Sequence, residues 1–211
     1  VAESYDSNPY FAKKFFENSA FRDEVLLKGI ELYQKQAKGE FEPIVISPSN
    51  ILQVKNQYRK IIGKLQGKIS WFDRYFAADT LEFLEGCKID DSVKEIKILA
   101  GVNREIDENF LNKFKKFKAT CESRGITCQM KIIIKKDLFR NIHWRIIVAD
   151  NYALQTESQK TIELGSWSSI FPINKDEVPY DEWWNNPDCV DIIQNWEAIK
   201  ARKEQLDSYR R

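Results

Sequence analysis

The sequence predicts an α/β domain: a mixed β-sheet with helices on both faces, plus N-terminal and C-terminal helical segments. Two observations carry that prediction. From Gly67 onward, β-branched runs alternate with amphipathic stretches in a β-α-β-α-β rhythm. Between Asp107 and Arg124, the apolar residues Phe110, Leu111, Phe114, Phe117 and Cys121 fall on one helical face.

Taken in order, Pro9 to about Lys38 reads as two helices. Asn8-Pro9 opens the first. Ser19 caps the second, and Phe21, Val25, Ile30 and Tyr33 give it a stripe that Gly39 ends. A short β-branched run, Ile44 to Ile46, follows Pro43. Ser47-Pro48 then sets an N-cap with proline at the first helical position. The helix behind it carries Ile51, Leu52, Val54, Tyr58, Ile61, Ile62 and Leu65 at helical spacing.

The change of rhythm at Gly67 divides the chain into an N-terminal helical segment, 1–66, and an α/β domain, 67–211. In the second part Lys68 to Phe72 is a predicted strand, and Ala78 to Glu85 a helix closed by Gly86. Val93 to Ala100 alternates as a strand does. The Asp107-capped helix stops at Gly125. Thr127 to Ile134 and His143 to Ala149 are the remaining predicted strands. Pro172, Pro179 and Pro187 punctuate the tail. A final helix is expected over Val190 to Ser208, with Ile192, Ile193, Trp196 and Ile199 on one face. The preceding Tyr180, Trp183 and Trp184 read as packing residues.

Composition narrows the function classes. The net charge of +1 argues against a non-specific polyanion binder, which is normally strongly basic. Two local basic clusters stand out, Lys113/Lys115/Lys116/Lys118 and Lys131/Lys135/Lys136/Arg140. The first reads as a solvated helix face; the second leads into the motif described below. No apolar run approaches the roughly 20 residues that span a bilayer, and no signal-peptide pattern opens the chain. The start at Val1 rather than Met is what a fragment or processed product would show, so a further N-terminal domain is an expectation. Cys87, Cys121, Cys128 and Cys189 form no C-x-x-C pair and the chain has one histidine, which argues against a structural zinc site. Buried reduced thiols in a cytoplasmic protein are the simple reading.

That one histidine opens the run His143-Trp144-Arg145-Ile146-Ile147-Val148-Ala149-Asp150, an H-x-[K/R]-x4-D pattern whose middle is a β-branched strand. Residues two apart on a strand face the same side, so His143 and Arg145 are expected in one pocket, with Trp144 facing away. A neutral imidazole can attack phosphorus, and its pKa lets it also return a proton. A fixed cation beside it stabilises charge on phosphoryl oxygens.

On these residues the chain resembles the phospholipase D-like (HKD) superfamily. The segments Ile69 to Phe76, Ile142 to Asn151 and Tyr180 to Trp184 are similar to a little-characterised, single-motif prokaryotic subgroup. The resemblance covers roughly Lys68 to Ile199. It implies a metal-independent phosphodiesterase without a cofactor. In it His143 is nucleophile or general acid, Arg145 clamps phosphate, and Asp150 orients the imidazole. Arginine stands where the family usually has lysine. At the offset of the family's Gly-Ser-x-Asn, this chain has Glu157-Ser158-Gln159-Lys160. Ser158 and Lys160 are therefore candidate phosphate ligands, with Lys136 and Asp73 as further candidates because each follows a predicted strand.

Family chemistry uses two histidines and this chain has one, so an active form is expected to be a homodimer with two copies of His143 across a two-fold axis. Nucleic acid is the expected substrate class. The alternative is an inactive module of the same fold that binds a phosphate-containing ligand, nucleic acid or lipid headgroup, or a protein partner.

Overall fold

The computed structural model describes residues 44–46, 51–135, 138–139, 142, 145–157 and 168–208, with the isolated helical positions Ala20 and Asp23. The chain divides into compact units at Pro43/Ile44. The two helices expected over Pro9 to Lys38 lie outside the described residues, apart from those two positions.

Unit 44–211 is built on one eight-stranded mixed sheet, in the order β1-β7-β6-β5-β2-β3-β4-β8. The strands are β1 (Ile44–Ile46), β2 (Lys68–Asp73), β3 (Glu95–Gly101), β4 (Thr127–Ile133), β5 (Arg145–Val148), β6 (Ala153–Thr156), β7 (Ser168–Ile173) and β8 (Cys189–Asp191). The helices are α1 (Ile51–Ile62), α2 (Ala78–Glu85), α3 (Glu108–Ser123), α4 (Tyr180–Trp184) and α5 (Trp196–Ser208). Strands β2, β3 and β4 are parallel, with α2 and α3 as crossovers. The chain then jumps to the other side of β2, where β5 enters antiparallel and β6 and β7 follow as a meander.

The register explains the two layers. Trp71 lies beside Ile98 and Ile147, and Ile98 beside Met130; all four are buried on one face. Helices α1, α2 and α3 cover that face. The Tyr58 ring of α1 stacks on Phe83 of α2 at 5.0 Å, and α3 meets β4 where Lys118 Nζ donates to the Cys128 carbonyl at 2.9 Å. The N-cap of α3 forms as its sequence indicates, with Asp107 accepting from the Phe110 amide at 2.8 Å. Phe110, Phe114 and Phe117 are all buried. Phe114→Ala is expected to cost about 3–5 kcal/mol by urea denaturation, the range for emptying a phenyl site in a packed core.

The opposite face carries Phe72, Leu99, Ile133 and Ile146, and Tyr180 and Trp184 of α4 pack there. The Tyr180 hydroxyl donates to the Lys97 carbonyl at 3.1 Å. Lys131 donates to the Trp184 carbonyl at 2.8 Å and stands over its ring at 4.9 Å. The tail aromatics are thus packing residues. Helix α5 is tied to α3 by Trp196 Nε1 donating to Glu108 Oε1 at 2.6 Å. Helices therefore flank the sheet on both faces, as the sequence predicts.

Three features differ from the sequence reading. Helix α1 and β1 belong to the sheet unit, so the division read at residue 66/67 falls inside it; Tyr58, Ile61, Ile62 and Leu65 are buried there. Strands β6 and β7 are added. The last helix begins at Trp196 rather than Val190. Val190 pairs with Ile132 in β8, and the Asp191 carboxylate accepts from the Ile193 and Gln194 amides, which turns the chain before the helix starts. All four cysteines are free and buried. No helix among the described residues is long and apolar enough to cross a membrane.

Candidate functional site

In open α/β sheets a crevice forms at the carboxyl ends of the strands, where successive connections depart in opposite directions. Here that place lies between β2 and β5: β3 and β4 continue to one side of β2, and β5 lies on the other. Because β5 is antiparallel to β2, its first residue, Arg145, comes level with the last residue of β2, Asp73.

Asp73 is 2% exposed. Its Oδ1 lies 3.3 Å from Arg145 Nε and accepts the Tyr75 amide at 2.8 Å. The Arg145 guanidinium also lies over the Tyr75 ring, 5.3 Å from its centre. Beneath the pair, Thr156 of β6 is the register partner of Arg145, and its hydroxyl lies 3.3 Å from the buried Tyr58 hydroxyl. Burial pushes the Asp73 carboxyl above its ordinary range, opposed by the Arg145 charge and by the Tyr75 amide. Burial pushes the Tyr58 phenol up as well.

A tight backbone approach shapes the neighbouring loop. The Gly101 amide donates to the Arg74 carbonyl at 3.2 Å, and a Cβ on Gly101 would meet that same oxygen at 2.8 Å. The end of β3 thus holds the Arg74–Tyr75 turn against the sheet. Arg74 reaches the β4–β5 connection, donating to the Leu138 carbonyl at 3.0 Å. Phe139, in the left-handed region at φ 57°, packs its ring against Phe72 and Trp183.

The sequence-predicted site residues divide three ways. Arg145 and Asp73 are brought together. Asp150 is not with them: it is exposed in the β5–β6 turn at the opposite end of β5. There its carboxylate lies over Gly67, whose φ of 70° and missing Cβ leave the room. Its amide donates to the Gln66 carbonyl at 3.1 Å, and its own carbonyl accepts from Lys175. The strand between them separates Asp150 from Arg145, and the carboxylate beside Arg145 is that of Asp73. His143, Lys136, Ser158 and Lys160 lie outside the described residues. Thr156 and Glu157, just ahead of Ser158, stand at the Arg145 end of the sheet.

The sequence reading missed Tyr58, Thr156 and Tyr75. The available signal for Tyr75 was Asp-x-Tyr at the end of a strand, since an aspartate there can bind the amide two residues on. Of the basic clusters, Lys113 is paired with Glu82, Lys118 with Glu122, Lys131 with Trp184 and Lys135 with Asp188 at 3.5 Å. Among the described residues no group of three or more His, Cys, Asp or Glu side chains converges as metal ligands would.

No protein-family model matches the chain, and no curated protein matches it. Solved structures do match in shape. One is TrmBL2, an archaeal chromatin protein described as showing a novel mode of DNA binding, with TM-score 0.41 and 15% identity. That match covers 83% of this chain and 65% of the archaeal protein, so this chain spans just under two thirds of its length. Another is NucT from Helicobacter pylori, with TM-score 0.44, 10% identity, and coverage of 72% of this chain and 99% of that one.

Proposed function

We propose that this chain is a phospholipase D-like phosphodiesterase domain acting on nucleic acid as a homodimer, in the cytoplasm and without a metal. The observation that supports it most is the Asp73–Arg145 pair at the switch point of the sheet, two residues along the chain from the single histidine. Asp73 holds the guanidinium in an ion pair, 3.3 Å from Nε, and a guanidinium is the planar cation whose geometry matches phosphate oxygens.

In this reading His143 attacks phosphorus, forming a P–N bond as the P–O bond to the leaving group breaks. His143 of the second copy protonates the leaving oxygen. Water then attacks phosphorus as the P–N bond breaks and gives its proton to His143 of the second copy, which completes the diester hydrolysis, while Arg145 stabilises the charge on the phosphoryl oxygens throughout.

The test is cleavage of single-stranded DNA, duplex DNA, RNA and bis(p-nitrophenyl) phosphate in the presence of a chelator. Turnover that chelator leaves unchanged, and that Arg145→Ala lowers together with substrate affinity, is the expected result. Turnover restored only by added divalent metal would sink the metal-independent mechanism.

One observation favours a second reading. The Asp73 carboxylate offsets much of the Arg145 charge, which suits a module that holds a phosphate group and does not turn it over. Arg145, Lys160 and Lys136 would then be the ligands. Tight binding to one of these substrates with no cleavage is the result that selects it.

A further inference from the structure

We propose that Tyr75 is a stacking platform for an unpaired base, and hence that the ligand of the Arg145 site is single-stranded nucleic acid. This rests on the phosphate-site reading above and names its substrate class. The structural ground is a contrast. Among the described residues, large hydrophobic side chains are overwhelmingly buried, while Tyr75 is 62% exposed; Ile193, at 37%, is the other exposed large one among them.

The ring is exposed, yet its backbone is fixed. The Tyr75 amide is held by Asp73 Oδ1 at 2.8 Å, the next amide, of Phe76, by the Asp73 carbonyl at 3.1 Å, and the preceding carbonyl by the Gly101 amide at 3.2 Å. Asn103 adds a fourth tie, its Nδ2 donating to the Phe76 carbonyl at 3.1 Å. A flexible loop tip would lose its order on exposure; this one presents a pre-positioned aromatic surface. The residue that fixes the turn, Asp73, also fixes Arg145, and the guanidinium lies over the Tyr75 ring. One carboxylate therefore sets the spacing between a π-surface and a cation.

A nucleotide carries both matching parts, a flat base and a phosphate beside it. A phospholipid headgroup has no flat ring to stack. A base inside a duplex has both faces covered by its neighbours, so an unpaired base is the partner that fits. Stacking of this kind tolerates any base, because each has a π-face. The net charge of +1 adds to the case. General attraction to a phosphate backbone is small for such a chain, which leaves stacking a large share of the affinity and makes binding less salt-dependent than for a basic protein.

The test is fluorescence anisotropy on the full chain, using labelled single-stranded DNA, single-stranded RNA, a DNA hairpin duplex and an abasic strand of the same length. The abasic strand keeps the phosphates and lacks the bases. The wild type is expected to prefer the single strands. Tyr75→Ala and Tyr75→Leu should weaken single-strand binding by about 5- to 100-fold, and Tyr75→Phe should bind as the wild type does. None of the three should change binding to the abasic strand. Circular dichroism should be unchanged, since the ring is mostly in solvent. Duplex preference would overturn the inference, as would single-strand binding indifferent to Tyr75→Ala. Equal weakening on the abasic strand would also overturn it, because the ring would then act only through Arg145. In these three cases the phosphate-site reading survives. Absence of binding and cleavage on every substrate would end both.

Discussion

Replacing Asp73 with alanine is expected to lower the unfolding free energy by about 3 kcal/mol, and replacing it with asparagine by somewhat less, since asparagine also removes the charge and keeps only the acceptor. The carboxylate is almost fully buried and its partner Arg145 has 18% side-chain exposure. Alanine would remove one member of a largely buried ion pair, a change that costs about 3–5 kcal/mol. The lower end applies because Arg145 keeps some contact with water. Alanine also removes the acceptor of the Tyr75 amide, whereas asparagine keeps an oxygen for it.

The pH dependence has a definite sign. Burial raises the Asp73 pKa in the folded state above its ordinary 3.8. The folded protein therefore binds this proton more tightly than the unfolded chain. The stability it contributes is fully present below 3.8 and is lost as pH rises through the raised folded pKa. Urea midpoints measured across that acid range should show such a limb for the wild type and not for Asp73→Asn. A wild type and an Asp73→Ala variant of equal stability would show that the pair does not support the fold.

His143→Ala is expected to lower turnover by about 10⁴-fold or more and to leave the urea midpoint in place, if the proposed mechanism holds. The scale is that of removing a nucleophile for which the chain has no substitute, since no second histidine exists. The shared site gives a quantitative signature. If each reaction needs a histidine from both copies, an equal mixture of wild-type and His143→Ala chains retains about one quarter of the wild-type activity, because only wild-type pairs work. If one histidine suffices, the mixture retains about one half. Activity after subunit exchange separates the two, and the higher figure would refute the shared site.

The elements that the sequence made readable are those with strong local periodicity. Strands β3 and β4 open on alternating polar and apolar residues and β2 is rich in apolar ones, each with a glycine at or near one end, and α3 pairs a clean apolar face with a capping aspartate. Strand β6, Ala153–Thr156, is four residues with two polar ones and offers no run to read. Strand β7 contains Pro172, ordinarily a mark against a strand. That proline lies opposite Leu154 of β6, beyond Ser168, Ser169 and Ile170, the β7 residues that pair with β1 among the described residues.

For the site, the H-x-R spacing puts its arginine at the start of a strand, and Arg145 is the first residue of β5. Asp150 misled because spacing along a chain cannot tell a residue beside the site from one in the hairpin turn at the far end of the same strand. Asp73 was readable as a residue that follows a strand. Its pairing with Arg145 depends on the antiparallel jump across β2, which no local pattern announces.

The two strands that border the sheet, β1 and β8, are three residues each. A proline removes a hydrogen-bond donor from β7 at Pro172, two residues beyond Ile170, which pairs with Ile44 of β1. Such borders give another chain little to add on to, which guards against open-ended strand addition and the fibrous aggregates it produces. A two-fold assembly of this protein would then have to form by some surface other than its sheet borders. In the proposed shared site, the rim at the carboxyl ends of β2 and β3, where Asp73, Tyr75 and Arg145 converge, would have to serve both self-association and substrate access.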